Sequence, residues 1–407
     1  MPAETPPVET PYPGRRIAVL GVLAVMILVP VTLPVTVLRG LIQERFGVGE
    51  FLASLFMSIN MVGAVVAAPL AGAIADRRGH RRGLLIAAMG CDAILLGALT
   101  LPVSFAGFML IRFLEGGAHI VALSLLLSLA SQARPPDQRG RVMGLTGGGI
   151  MLGVAIGAPL GGAIGRDDPI LPLEAASLLM LLAAVLAWWT LEETSRRAER
   201  PSLREVISAL RAHPLLLAPL AFAFADRFTV GFYTTTFSFF LSRIHGLPPP
   251  QIGLLMAAFM LPFALLSYPF GRLSERTSRI AMISAGSLVY GLFTAFVPWC
   301  PAPALPVLML GLGVVSAVMF VPSLLITSDA APESIRTTAM GAFNAAGSLG
   351  FIVGPAAGGW ISESVAAHAG WETGYRAAFG VAGLSEIACV AVGLPFLLAL
   401  SRRGKTS

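Results

Sequence analysis

The chain has 407 residues, 56% of them hydrophobic and 12% charged; soluble domains carry about 25% charged residues, so a soluble globular fold of this size is excluded. The net charge is +6, and 27 of the 28 basic residues are arginine. These arginines stand in short clusters between apolar runs, with no aromatic-lined basic groove, which excludes a nucleic-acid partner.

Residues 1–16 form an N-terminal tail that begins rich in Pro, Glu and Thr. It lacks a positive n-region, and Arg15 and Arg16 precede an apolar run without a cleavage site, so a retained first helix is expected. A spanning helix needs roughly 20 mainly apolar residues. Such runs predict twelve spans, at 17–38, 51–75, 83–103, 105–131, 142–165, 171–191, 213–242, 250–272, 279–299, 303–328, 338–362 and 375–400. The longest polar stretch, 192–212, is read as a cytoplasmic linker whose second part can form an amphipathic surface helix. It separates a six-helix bundle at 17–191 from a second at 213–400, which ends in a tail at 401–407. An even number of spans puts both termini on one side. That side carries 21 basic residues against 5 on the other, so both termini are expected in the cytoplasm, in a bacterial inner (plasma) membrane.

The second half repeats the first. Gly72-x-x-x-Asp76-Arg77 recurs as Gly271-x-x-x-Glu275-Arg276, at an offset of 199. Arg139-x-x-x-Met143-Gly144 recurs at Arg336, and Gly153-x-x-x-Gly157 with Gly161-Gly162 recurs as Gly350-x-x-x-Gly354 with Gly358-Gly359, all at 197. The fold expected is therefore an all-α membrane protein: twelve transmembrane helices in two pseudo-symmetric six-helix bundles. Two such bundles leave a cavity between them, which rocking exposes to each side in turn.

The segment Gly72-Ala-Ile-Ala-Asp76-Arg77-Arg78-Gly79-His80-Arg81-Arg82 resembles the signature loop of the major facilitator superfamily, with His80 replacing one basic residue. Arg112-Phe-Leu-Glu115-Gly116-Gly117 resembles the family's fourth-helix motif, with glutamate in place of glutamine. In the fifth span Gly153, Gly157, Pro159 and Gly161 resemble the motif of the drug:proton antiporter branch, with the proline one place late. Gly350, Gly354, Pro355 and Gly358 carry the unshifted form in the eleventh. The resemblance implies the major facilitator fold, with the first, fourth, seventh and tenth helices lining the cavity. It also implies a gating role for Asp76, Arg77 and Arg81, and proton coupling near Arg112. The loop's Gly72 and Gly79 share that role, and the repeat extends the gating assignment to Gly271, Glu275 and Arg276. By elementary packing, small residues four apart let helices approach closely, and proline adds a bend.

Ionisable residues inside a span are functional candidates by default. Arg112, Glu115 and His119 lie on one face of the fourth span. Asp226 and Arg227 lie at similar depth in the seventh. Neither set has a charged counterpart in the repeat, as expected of a proton or substrate site; structural ion pairs are the alternative. Adjacent helical residues point about 100° apart, so a partner for Asp226 or Arg227 is expected on another helix, with Arg112 or Glu115 the candidates. Asp92 and Glu386 sit near mid-depth in helices that are peripheral in the family, and are expected to pair with a neighbouring helix or water, with a functional role the alternative. Phe222, Phe228, Phe232, Tyr233, Phe237 and Phe239 make the seventh span aromatic, for packing or a greasy pocket. Asn60 and Asn344 are expected to form interhelical hydrogen bonds. Trp188, Trp189, Trp299 and Trp360 fall near span ends, as belt residues would.

Cys91, Cys300 and Cys389 are far apart and without ligand spacing, so neither a disulfide nor a metal site is expected. No catalytic set or phosphate loop is apparent, and neither a cofactor nor an enzymatic activity is expected. The reading is a monomeric secondary transporter working by alternating access, with protons, a small-molecule substrate and the lipid bilayer as partners. Proton-coupled efflux of a small amphipathic or apolar compound comes first. Transport of a defined metabolite or lipid flipping on the same fold is the alternative, and a membrane enzyme or sensor the weakest.

Overall fold

The computed structural model describes residues 14–78, 81–131, 139–191, 208 and 211–403, without the side chains at 14–16, 69–78, 81, 131, 139–141, 334, 337 and 400–403. Gly79, both chain ends and nearly all of the expected linker lie outside the described residues.

The first bundle holds α1 (Gly14–Thr32), α2 (Glu50–Arg78), α3 (Arg81–Ala98), α4 (Phe105–Ser131), α5 (Arg139–Ile164) and α6 (Leu171–Thr190). The second holds α7 (Leu217–Thr234, resumed as Thr236–Ile244), α8 (Pro249–Leu273), α9 (Arg279–Phe296), α10 (Leu305–Ala330), α11 (336–369) and α12 (371–403). No strand occurs among the described residues. Ten helices are long and apolar enough to cross a membrane by length and composition alone. One of these, Thr338–Ala399, contains α11 and α12 end to end. The remaining helix, α3, is 18 residues long and carries Arg81, Arg82 and Asp92.

Beyond shifts of a few residues at their ends, the expected spans differ from these helices in three places, each for a local reason. Proline has no N–H to continue a helix, and Pro34 turns the end of the first span into a 3-10 segment, Leu33–Val37, and a π segment, Arg39–Glu44. The seventh span breaks at Thr235 (φ −133°, ψ −70°). There the hydroxyls of Thr234 and Thr235 both donate to Gly231 O, at 2.8 and 3.3 Å, competing with the helical ladder. Lastly, 363–374 is not the loop expected between the last two spans. Helix runs up to Gly370 and resumes after it, turning at that single residue (φ 81°, ψ 160°), in a region open essentially to glycine alone.

The two halves pack alike. Within the first, α1 packs on α5 and α6, α2 on α4, and α3 on α4 and α6. The second repeats this with α7 on the α11–α12 segment, α8 on α10, and α9 on α10 and the α11–α12 segment. Between the halves, α2 meets α11 and α5 meets α8. These two contacts exchange under the repeat.

The glycines of the repeated motif explain both kinds of contact. A Cβ built on Gly153 would lie 2.7 Å from Val25 O and one on Gly157 2.6 Å from Val29 O, while Gly161 abuts Leu33 O. In the second half Gly350 lies against Phe224 O, Gly354 against Phe228 O and Gly358 against Thr236 and Phe232. Each row seats its helix on the first helix of its own bundle. The next glycine turns outward: Gly162 lies against Pro249 of α8 and Gly359 against Ser54 of α2. The one-place shift of the proline has the same consequence. Pro355 packs on Gly231 within its half, whereas Pro159 packs on Gly253 across the junction.

Candidate functional site

Gly63 and Gly116 bring α2 and α4 together backbone to backbone; a Cβ on Gly116 would fall 2.7 Å from Asn60 C. That approach buries Arg112 to 1% exposure against α2. Its Nη1 donates to Glu115 Oε2 (2.6 Å) and its Nε to Phe56 O (3.3 Å), and its guanidinium lies 4.1 Å from the centre of the Phe56 ring. Asn60 Nδ2 donates to the same Glu115 oxygen at 2.5 Å. One helical turn further, His119 Nδ1 lies 3.0 Å from Asp92 Oδ2 of α3. Asp92 Oδ1 and His119 Nε2 are buried with no hydrogen bond. Glu115 thus holds a pre-paid counter-charge in Arg112, while His119 and Asp92 form a second acid–base pair beside it. At 1.5 Å rise per residue Glu115 sits roughly 15 Å from the start of α4, near mid-membrane. Such a cluster can hold and pass a proton without contact with bulk water.

Donor atoms of Asp92, Glu115 and His119 lie within 4.8 Å of one another, a spacing compatible with a metal ion. The guanidinium of Arg112 already occupies Glu115 Oε2 with positive charge, so the group is electrostatically closer to a proton relay. The sequence suggested no such cluster because Asp92 stands on another helix, in a span taken as peripheral.

In the second half the expectation of interhelical partners for Asp226 and Arg227 is corrected. Arg227 Nη1 pairs with Asp226 Oδ2 directly. The long arginine stem swings back across the angle that separates adjacent residues, and its guanidinium lies 4.8 Å from the Phe320 ring centre. Arg112 and Glu115 likewise satisfy each other, and no ion pair joins the two charge sets among the described residues. Asn60 makes the expected interhelical bond; Asn344 does not, being exposed with no hydrogen bond among the described residues.

Between the halves lies a small apolar cavity of about 30 Å³. Thr32 of α1, Val154 of α5, Tyr233 and Phe237 of α7, Phe259 of α8 and Met309 of α10 are among its walls. Tyr233 and Phe237 are the only members of the aromatic seventh-span series that face it. Phe228 and Phe232 instead pack on each other, ring centres 5.1 Å apart, and Phe222 packs on Gly393.

The side bearing the chain termini is here the terminal face; the opposite side is the far face. Every hydrogen bond between the halves among the described residues lies in the far half of the molecule. Tyr375 OH donates to Glu50 Oε1 (2.5 Å), Phe51 N–H to Glu363 Oε2 (2.7 Å), Ser58 Oγ to Ile352 O (2.7 Å) and Arg39 Nη1 to Ser242 Oγ (3.3 Å). Glu50 is fully buried and Arg243 stacks on Trp371, 3.9 Å from its ring centre. This junction was not foreseen: Glu50, Glu363 and Tyr375 fall at span ends, where charges read as loop residues. Of the expected gate, Gly72, Asp76, Arg77 and Arg81 are helical with side chains outside the description. Glu275 and Arg276 lie exposed in a turn after α8, with no ion pair among the described residues. The halves are therefore closed at the far face.

The family model described as Major Facilitator Superfamily matches residues 17–241 and 220–407. The chain is 27% identical over 348 residues to an uncharacterized MFS-type transporter, YceJ, of Bacillus subtilis (strain 168), covering 83% of this chain and 86% of that protein. It is 25% identical over 316 residues to Multidrug resistance protein 2 of the same organism, covering 74% and 78%. With the synaptic vesicular amine transporter of Homo sapiens the identity is 23% over 273 residues, 64% of this chain and 52% of that one. Among solved structures, a bacterial homolog to the human lysosomal transporter Spinster, inward-facing and unoccupied, superposes with a TM-score of 0.77 at 17% identity, covering 97% and 98%. The nucleoside transporter NupG superposes at 0.73 with 15% identity, covering 93% and 98%.

Proposed function

The chain belongs to the Major Facilitator Superfamily, and on that premise we propose a secondary transporter of the drug:proton antiporter-like branch, which exports a small amphipathic or apolar compound in exchange for protons. The observation that carries this reading is the buried Arg112–Glu115 pair, flanked by Asn60 and by His119–Asp92. It is proton-exchange chemistry in one half of a two-half machine. Asp226 and Arg227 supply a second, part-buried pair in the other half. The apolar pocket, with few polar atoms beyond Thr32, Tyr233 and Thr234, suits a greasy compound with one polar end. Relatives named for multidrug resistance and amine transport support that substrate class.

In this reading 17–191 and 213–400 are the moving bundles, in a bacterial inner membrane with both termini cytoplasmic, and the protein works as a monomer. The described state then opens to the cytoplasm. Gly72, Asp76, Arg77, Gly79, Arg81, Gly271, Glu275 and Arg276 form the cytoplasmic gate of the opposite state, engaging as the far-face bonds release. Glu275 and Arg276, exposed and without an ion pair among the described residues, suit a gate that is open.

The test is transport by reconstituted protein under an imposed pH gradient, with lipophilic amines set against nucleosides and sugars. Gradient-driven movement of the amines is expected. Glu115→Gln and Asp226→Asn should each uncouple it from pH while exchange without a gradient persists. If both variants kept full pH-driven transport, the assignment of protons to these carboxylates would be wrong.

A further inference from the structure

Most buried charges among the described residues meet an opposite one. Glu115 has Arg112, Asp92 has His119 and Asp226 has Arg227. Glu386 of α12 does not. It is fully buried, and both of its carboxylate oxygens lack a hydrogen bond. Its Cβ lies 3.0 Å from the position a Cβ would take on Gly291, so it is pressed between α12 and α9. From α7, Thr229 reaches the same turn of α12, donating to Ala382 O at 3.3 Å and lying 3.5 Å from Ser385 Oγ.

Two further buried oxygens without partners belong to this region: Tyr290 OH of α9 and Asp226 Oδ1 of α7. Tyr290 lies near both Asp226 and Glu386, and the Ser287 and Thr229 hydroxyls face the Glu386 carboxylate. The ionisable groups facing Glu386 are thus Asp226 from α7, paired with Arg227, Tyr290 from α9, and Cys389 on its own helix.

The donors are carboxylate, phenol and hydroxyl oxygens, which suit a hard cation. Because Arg227 balances Asp226, the cluster is left with one uncompensated negative charge when Glu386 is ionised. An unpaired charge does not persist in such surroundings; it is neutralised or paired. We propose that Glu386 anchors an exchangeable monovalent-cation site in the second half, where a proton or a sodium ion supplies the positive charge that no side chain supplies. The proposal goes beyond the exchange chemistry assigned to Glu115 and its neighbours, and holds whatever the substrate is.

It is tested on the purified full-length protein in detergent, by measurements that need no transport. Thermal unfolding is followed with sodium replacing choline at constant ionic strength. Infrared difference spectra between alkaline and acid buffer report protonated carboxyl groups. Under the sodium arm, sodium raises the melting temperature of the wild type and leaves Glu386→Gln unmoved. Under the proton arm, sodium has no specific effect, and Glu386→Gln removes one carboxyl band from the difference spectrum. No sodium effect together with an unchanged carboxyl spectrum in Glu386→Gln would overturn the proposal and leave the carboxyl a static, permanently protonated group. If Glu386→Gln fails to fold, Tyr290→Phe serves instead. It should shift the sodium concentration for half-effect or displace the carboxyl band, and a variant identical to wild type in both would also overturn the site. Failure of pH-driven amine transport, by contrast, would count against the proposed function and not against this site.

Discussion

Arg112 shows how one side chain sets the character of its neighbours. It is fully enclosed, yet its donors are spent on Glu115, the Phe56 carbonyl and the face of the Phe56 ring. Removing one member of a buried pair leaves the other uncompensated, at a cost of about 3–5 kcal/mol. Arg112→Ala should therefore lower stability by about that amount, read from the unfolding midpoint of the detergent-solubilised protein. Arg112→Lys should recover only part of it, because an ammonium cannot reproduce the fork and the stacking. These residues were legible as candidates in the sequence, since charges are rare inside apolar spans. Their partners were not. The helical period places Arg112, Glu115 and His119 on one face, but says nothing of Asn60 or Asp92 on adjacent helices. For Asp226 and Arg227 the period misled, because it fixes the direction of Cβ and leaves a long flexible stem free to turn back.

Among the elements, Gly370 separates α11 from α12 by one residue in a conformation other residues hardly adopt. Gly370→Ala has room for its methyl group, with nothing within 4 Å, and should still cost about 1–3 kcal/mol through backbone strain alone. Hydrogen exchange of the adjoining turns would show the loosened helix ends. The far-face bonds act at the same scale. Tyr375→Phe leaves the buried Glu50 without its phenolic donor, and a hydrogen bond to a charged group contributes about 1.5–3 kcal/mol. The expected outcome is a population shift away from far-face closure, measured as faster labelling of a cysteine placed at Ser58. Spans were readable from apolar run length, because the bilayer dictates a minimum. Their internal breaks depended on Pro34, the threonines after Gly231, and Gly370, whose effects are set by local backbone geometry and not by hydropathy.

For the whole molecule, the two halves are joined by a pair of exchanged contacts, α2 with α11 and α5 with α8. Gly162 and Gly359 hold equivalent places in them. A Cβ at Gly359 would sit 2.8 Å from Ser54 Cβ, closer than real carbons approach, and no relief is available without parting the halves. Gly359→Ala should thus open the far face while leaving each bundle folded. Spin-label distances across the far face should lengthen relative to wild type, with helix content by circular dichroism unchanged.

By itself, the amino-acid sequence determined the membrane class, the twelve spans, the duplication and the family resemblance. Composition, run length and repeated small-residue motifs are properties of the linear chain, and the bilayer converts them directly into helices. Only the tertiary structure decided which glycine of each pair faces its own bundle and which faces the other. It alone joined His119 to Asp92 and Asn60 to Glu115, left Glu386 without a counter-charge, and closed the far face through Glu50, Glu363 and Tyr375. The physical reason is the same in each case. These relations hold between side chains on different helices, and the rotation and depth of one helix against another are set by packing that no single span encodes.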